Sequence, residues 1–144
     1  MDLLIVVFVF VSVFIIVQKS LVSFFRHPRH LHKKSRKFIS FDDLMALFIV
    51  YSIIILGFGA IYFSLLMVGI PVLMESGTPV NGSYAELTEV VSYFSAVTLL
   101  SVGYGDITPI GIGRWISIIE ALVGYLLPAA FVLSTVVETE WKSD

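Results

Sequence analysis

The chain has 144 residues, of which 58% are hydrophobic and 14% are charged, whereas soluble domains average about 45–50% and 25%. With so little polar surface and a formal net charge of only -2, the composition excludes an ordinary soluble domain and predicts an integral membrane protein. Cysteine is absent from the sequence, which excludes disulfides, thiol catalysis and thiolate metal sites.

The first apolar segment covers residues 3–25, 23 residues in which Lys19 is the single formal charge. A bilayer core is crossed by about 20 residues, so we expect a retained transmembrane helix. A cleaved signal peptide or an interfacial segment is the alternative. The signal peptide fits poorly, because Asp2 stands in place of a basic n-region and no small-x-small cleavage site follows.

The next segment, residues 26–37, contains six of the nine Lys and Arg residues and all three histidines, His27, His30 and His32. Short basic segments stay on the cytoplasmic side, so we expect the 26–40 loop and the carboxyl terminus to be cytoplasmic and the amino terminus to lie outside. The cations are expected to contact anionic headgroups, at roughly 1 kcal/mol each. A pH sensor built on the histidines is the alternative, and nucleic-acid binding is not expected.

A long uncharged run, residues 44–74, follows a helix start of the form Ser40-x-x-Asp43. A helix over these 31 residues is about 46 Å long, which exceeds the bilayer core and predicts tilt or an outer extension. Pro71 is expected to bend or end this helix. Residues 75–89 carry three glutamates and no basic residue, and by this topology they form an extracellular loop.

A short uncharged segment, residues 90–99, follows an expected N-cap at Thr88. About ten residues are too few to cross a bilayer and are typical of a re-entrant segment. Irregular backbone at membrane depth must be buried in protein or line water, so the stretch that follows, Ser101–Gly105, must do one or the other. Because Gly103 and Gly105 tolerate positive φ, its five carbonyls can turn to one side and replace the water around a simple cation.

The last apolar run, residues 110–137, has charges only at Arg114 and Glu120. Arg114 lies near the outer end and can extend to the interface. A carboxyl at mid-membrane is costly and marks a candidate functional site. We expect Glu120 to be structural, hydrogen-bonded to Ser95 or Thr98 behind the Ser101–Gly105 stretch.

Residues Thr98–Asp106 resemble the selectivity filter of the potassium channels, in which threonine usually stands at the position of Ser101. The resemblance extends over residues 41–137 and implies an all-α membrane protein with the potassium-channel pore module. Residues 1–40 then form an additional N-terminal transmembrane helix and a basic linker. Residues 41–144 form the pore module, with an outer helix at about 41–74, a pore helix at about 88–100, a filter at 101–105 and an inner helix at about 110–137.

The resemblance also implies a homotetramer in the cell membrane, in which four filter segments surround one axis. Dehydrated K+ would pass in single file between backbone oxygens of Ser101, Val102, Gly103, Tyr104 and Gly105, with the Ser101 hydroxyl as a further ligand. The ring of Tyr104 would pack outward against the pore helix. No cofactor other than the permeant ion is expected.

Support of the filter is implied for Thr98, Tyr93, Asp106 and Glu120. Asp106 either accepts a hydrogen bond from a side chain such as Tyr93 or concentrates cations as one of a ring of four. Both roles are compatible with each other.

A gate is implied in the inner helix, where Gly124 lies at the position of the family's hinge and Pro128 removes a backbone donor. The alternative is that Gly124 only packs against a neighbouring element. The resemblance places a line of residues along the pore, namely Tyr125, Pro128, Val132 and Val136.

The predicted function is therefore potassium-selective conduction. The alternatives are a weakly selective cation channel, a potassium transporter subunit and a non-conducting regulatory subunit. An enzyme is not expected, because the sequence offers no nucleophile–base pair or metal constellation. No span carries arginine at every third position, so a voltage sensor of the usual kind is not expected either.

Overall fold

The computed structural model describes Phe41–Glu140, together with Ser12, Ile15 and Lys19, which are helical. The first predicted span and the basic linker otherwise lie outside the described residues. The elements in chain order are α1 (Phe41–Met67), β1 (Leu73–Glu75), β2 (Thr78–Pro79), α2 (Tyr84–Leu99), β3 (Ile107–Pro109) and α3 (Gly113–Glu140). Segments of α1 (Leu44–Met67) and α3 (Gly113–Val132) are long and apolar enough to cross a membrane.

Helix α1 ends at Met67, so the predicted end near residue 74 is wrong. Gly69 adopts φ +81°, and the N–H groups of Gly69 and Ile70 donate to the carbonyls of Leu66 and Leu65, both at 3.0 Å. These two bonds form a Schellman C-cap with glycine at the C′ position, and Pro71 follows it closely. The 24-residue apolar segment is about 36 Å long, which fits a bilayer core with little tilt.

A three-stranded antiparallel sheet of order β2-β1-β3 occupies the region after α1, where the sequence predicted the end of a helix and a loop. Strand β1 is joined to β2 by Ser76 and Gly77, whose φ values are +50° and +82°. Positive φ at both central residues is the type I′ turn that suits a hairpin. Strand β1 also pairs with β3, with Glu75 opposite Ile107. The fold is therefore mostly helical rather than all-α.

Helix α2 begins at Tyr84, and the predicted N-cap at Thr88 is wrong. Ser83 is the N-cap and forms a capping box with Glu86, in which the Ser83 N–H donates to Glu86 Oε2 at 2.7 Å. The hydroxyl of Thr88 instead donates to the carbonyl of Tyr84 at 2.7 Å. Because the N-cap is Ser83, five residues before Thr88, the helix has 16 residues.

Helix α3 begins at Gly113 rather than at residue 110, because the turn before it is hydrogen-bonded to the residue that precedes β1. The N–H of Ile110 donates to the carbonyl of Val72 at 2.8 Å, and Gly111 adopts φ +51°. A Cβ on Gly113 would lie 2.3 Å from that same carbonyl oxygen. Glycine is therefore needed where α3 crosses the segment between α1 and β1.

The buried core lies between the three helices, and α2 packs on both α1 and α3. Tyr62 of α1 is fully buried and meets Phe94 of α2 edge to face, with ring centroids 5.2 Å apart. Glu120 of α3 is also fully buried in this core. The short helix α2 is thus held behind the filter segment by both long helices.

Candidate ion-conduction site

The filter segment, Ser101–Gly105, alternates its backbone conformation residue by residue. Ser101, Gly103 and Gly105 have φ values of +56°, +56° and +80°, whereas Val102 and Tyr104 are not among the positive-φ residues. The glycine pattern predicted two of these three positions. The left-handed conformation of Ser101 was not predicted. A non-glycine residue in the left-handed region is disfavoured by about 1–2 kcal/mol, and nothing in the sequence marks Ser101 as an exception.

Hydrogen bonds to the end of α2 fix the direction of the filter carbonyls. The N–H groups of Val102 and Gly103 both donate to the carbonyl of Val97, at 2.9 and 3.2 Å. In a trans peptide the carbonyl oxygen points opposite to the N–H, and the structure has no cis peptide among its described residues. The carbonyls of Ser101 and Val102, which share those peptide units, therefore both face away from α2.

The carboxyl end of α2 continues directly into the filter. The N–H of Leu100 donates to the carbonyl of Ala96 and that of Ser101 to the carbonyl of Thr98, both at 3.0 Å. The negative end of the helix dipole therefore lies next to Ser101. This arrangement favours a cation at the Ser101 end of the filter segment.

All five filter residues are exposed within the single chain. The Tyr104 side chain is 72% exposed in the single chain, and its packing against a pore helix stays a prediction. An open groove of about 420 Å³ lies between the filter and α3, lined in part by Phe94, Thr98, Ser101 and Ser117. The back of the filter is therefore only partly covered by its own chain.

Asp106 and Tyr93 are hydrogen-bonded to each other at the Gly105 end of the filter segment. The Tyr93 hydroxyl donates to Asp106 Oδ2 at 2.6 Å, and the N–H of Ile107 donates to Oδ1 at 3.0 Å. The hydrogen bond from Tyr93 holds the pKa of Asp106 below its usual value. The hydrogen bond expected from the sequence is thus present, and the carboxylate is ionised at neutral pH.

Glu120 is fully buried between all three helices. Its Oε1 contacts the Ser95 hydroxyl, one of the two partners expected from the sequence, and its Oε2 accepts from the Tyr62 hydroxyl at 2.9 Å. Tyr62 was missed, because it is 58 residues away along the chain and nothing in the sequence of α1 marks it as a partner.

The contacts around Glu120 also determine where its hydrogens lie. The Ser95 hydroxyl contacts the carbonyl of Ile55, at 3.0 Å, as well as Glu120. Three contacts then require three hydrogens, and the two hydroxyls of Ser95 and Tyr62 supply one each. The carboxyl of Glu120 supplies the third, so this network is complete when Glu120 is a neutral acid.

Gly124 lies where the three helices meet. A Cβ at this position would lie 1.8 Å from the carbonyl oxygen of Leu99, at the end of α2, and the carbonyl of Gly124 accepts a hydrogen bond of 3.0 Å from the Tyr51 hydroxyl of α1. The geometry supports the packing interpretation of this glycine, whereas the hinge stays a prediction.

The predicted pore-lining residues share an exposed side of α3 as far as the structure describes them. Tyr125, Pro128 and Val132 are exposed, and the side chain of Val136 lies outside the described part of the chain. An exposed side that is not packed on α1 or α2 is available to line a pore. The assignment itself stays a prediction.

Comparison with known proteins places the chain in a family. The profile of the family described as "ion channel" matches residues 45–140. The chain belongs to this ion channel family. That result confirms the resemblance to potassium-channel pore domains that the filter segment first indicated, and with the two apolar helices it assigns the chain to a membrane.

Two curated relatives are similar to most of the chain. Protein LctB of Geobacillus stearothermophilus is 45% identical over 102 residues, covering 71% of this chain and 76% of the relative. Protein LctB of Bacillus caldotenax is 47% identical over 104 residues, covering 72% and 78%. No solved structure gives a significant match.

Proposed function

We propose that the chain forms a homotetrameric, potassium-selective channel whose filter is Ser101–Gly105. The observation that carries the proposal is the direction of the filter peptides. Two N–H groups face the pore helix through Val97, and the conjugate carbonyls face the open side. A row of carbonyl oxygens on an open side can replace the hydration shell of a permeating cation.

Four copies are proposed because one copy leaves the filter backbone uncovered. Irregular backbone does not occur next to lipid, since its polar groups have no partners there. The exposed filter residues and the groove behind them are therefore expected to be covered by identical neighbours around an axis. The exposed Tyr104 ring would pack in such an interface, against a pore helix.

Ion coordination is proposed through the carbonyls of Ser101, Val102, Gly103 and Tyr104 and the hydroxyl of Ser101. Gly105 supplies the left-handed residue that ends the row. Serine in place of the usual threonine keeps the oxygen and lacks one methyl, a packing difference of about 1 kcal/mol. We expect potassium selectivity to persist with a weaker innermost site.

The proposed orientation places the sheet and Asp106 outside and the Ser101 end of the filter toward the cytoplasm. The basic segment, residues 26–37, supports this orientation because such segments remain cytoplasmic. Ionised Asp106 residues of four copies would then surround the outer entrance and attract cations.

Planar-bilayer recording of the purified chain, with potassium on one side and sodium on the other, tests the function. A selective filter gives a reversal potential close to the potassium equilibrium potential. A value near zero would indicate a weakly selective cation channel, and absence of current would indicate a regulatory or transporter subunit. Native mass spectrometry of the same sample gives the copy number, for which we expect four.

Two glycine substitutions make this test specific to the filter. Gly103 and Gly77 have φ values of +56° and +82°, and a Cβ at either position meets nothing within 4 Å. Gly103→Ala and Gly77→Ala therefore impose similar backbone strain, of about 1–2 kcal/mol, one in the filter and one in the outer hairpin. We expect Gly103→Ala alone to abolish selective current.

A further inference from the structure

The carbonyl of Gly124 loses its ordinary hydrogen-bond donor inside α3. In an α-helix this carbonyl accepts from the N–H four residues later, and that residue is Pro128. Proline has no N–H, and its ring also crowds the carbonyl of residue i−4. A carbonyl left without a partner in a bilayer costs several kcal/mol.

The Tyr51 hydroxyl occupies the position of the missing donor. It donates to the Gly124 carbonyl at 3.0 Å, across 73 residues of sequence. Tyr51 is half-buried within the apolar helix α1. A tyrosine in such a segment presents an apolar ring to the core and a single polar group at its tip, and here that group meets the carbonyl left free by proline.

Gly124 is therefore held from two directions at once. Its missing side chain allows the carbonyl of Leu99, at the end of α2, to approach. Its own carbonyl is bound by Tyr51 of α1. The backbone of α3 is tied at one residue both to the base of the filter and to the outer helix.

We propose that Tyr51 is a positioning residue for the gating segment of α3, because its hydroxyl supplies the hydrogen bond that Pro128 withholds from Gly124. This inference rests on the proposed function and on the gate that the resemblance implies in α3, which would line the pore and open it. Tyr51 contacts no permeating ion in this arrangement. It acts through the backbone of α3, and its contribution exists only while residue 128 is proline.

A double-mutant cycle on channel gating tests the proposal. Tyr51→Phe removes the hydroxyl and keeps the ring, and we expect it to change the ratio of open to closed channels about five-fold, which corresponds to a typical hydrogen bond of about 1 kcal/mol. In a Pro128→Ala background, residue 128 has its own N–H, so adding Tyr51→Phe should then change the ratio by less than two-fold. Tyr84→Phe is the matched control, because Tyr84 is an exposed residue at the start of α2.

An equal effect of Tyr51→Phe in both backgrounds, or none in the proline background, would overturn the proposal. If Tyr51→Phe alone fails to assemble, assembly restored by Pro128→Ala supports it, and assembly that is not restored contradicts it.

A readout that needs no current separates this inference from the proposed function. The carbonyl-carbon NMR signal of labelled Gly124 reports its hydrogen bond directly. We expect Tyr51→Phe to move this signal and Tyr84→Phe to leave it in place, even in a protein that conducts nothing. A signal that does not move in Tyr51→Phe would show that the hydroxyl is not the donor.

Discussion

The two ends of α2 are built in opposite ways. At the amino end, Ser83 and Glu86 satisfy the free N–H groups within four residues of sequence. At the carboxyl end, the N–H groups of Val102 and Gly103 bind the carbonyl of Val97, and the carbonyls of Ser101 and Val102 face away from α2. The first end is complete within one chain, whereas in the proposed channel the second would be completed by neighbouring copies and ions.

The largest effect is expected where α3 supports the carboxyl end. Gly124→Ala would place a Cβ 1.8 Å from the Leu99 carbonyl oxygen, so the base of the filter must move. We expect loss of more than about 4 kcal/mol of stability, seen as loss of the tetramer in detergent. Because Leu99 lies two residues before Ser101, we expect any residual current of this variant to show altered selectivity.

Gly59→Ala is the control for this substitution. A Cβ on Gly59 would lie 3.8 Å from the nearest atom, the carbonyl oxygen of Val91. That distance is an ordinary contact, so we expect a normal tetramer with unaltered current. Equal damage from both variants would show that any added methyl in the helix interfaces is harmful.

An intermediate effect is expected at Glu120, which joins the middle of α2 to both long helices. Glu120→Gln keeps one acceptor oxygen and offers an NH2 group, so it retains a neutral donor–acceptor group and is expected to reduce stability only slightly. Glu120→Ala leaves the buried Tyr62 hydroxyl without its partner, which costs about 1–3 kcal/mol, whereas the Ser95 hydroxyl still contacts the carbonyl of Ile55. Thermal unfolding of the detergent-solubilised protein measures both variants, and a larger loss of stability in Glu120→Gln than in Glu120→Ala would contradict the neutral network.

The smallest effect is expected at the amino end of α2. Ser83→Ala removes the N-cap side chain and is expected to cost about 1 kcal/mol, whereas Thr88→Ala should cost less because Thr88 is not the cap. Thermal unfolding at neutral pH compares the two variants. Equal losses would contradict the observed cap.

The cap is also expected to weaken in acid. Hydrogen bonds from Ser83 hold the pKa of Glu86 below its ordinary value of 4.5. A lowered pKa in the folded state stabilises the protein at pH values above 4.5, and this stabilisation is lost as the pH falls through the lower folded value. The difference in stability between Ser83→Ala and the unmodified protein should therefore narrow as the pH falls below 4.5.

What the sequence revealed depends on the distance between the interacting residues. The left-handed Gly103 and Gly105, the carboxyl end of α2 and the Tyr93–Asp106 bond lie close together in the sequence, and their positions were predicted. The N-cap of α2 was placed five residues too late. The helix ends at Gly69 and Ser83 also had local signals, a C-cap glycine before Pro71 and a Ser-x-x-Glu pattern, which the long apolar run obscured.

Contacts between distant elements had no such signal. Tyr62 and Tyr51 donate to acceptors 58 and 73 residues away. Only the packing of α1 against α3 brings these donors and acceptors together. Ser101 adopts a left-handed conformation because its own N–H and that of Val102 donate to the carbonyls of Thr98 and Val97. A serine side chain gives no indication of this conformation.

Contacts near the sheet and at Gly124 hold the first part of α3 in place, so the part of α3 beyond Gly124 is the part that can move. Val72, just before β1, accepts a hydrogen bond from Ile110 and crowds Gly113, and Gly124 is held by Tyr51 and Leu99. The part of α3 beyond Gly124, residues 125–140, has 16 residues and is about 24 Å long. In the proposed channel, a rotation of about 20° at Gly124 would move the far end of α3 by roughly 8 Å, a displacement large enough to widen or close the pore entrance that α3 is predicted to line.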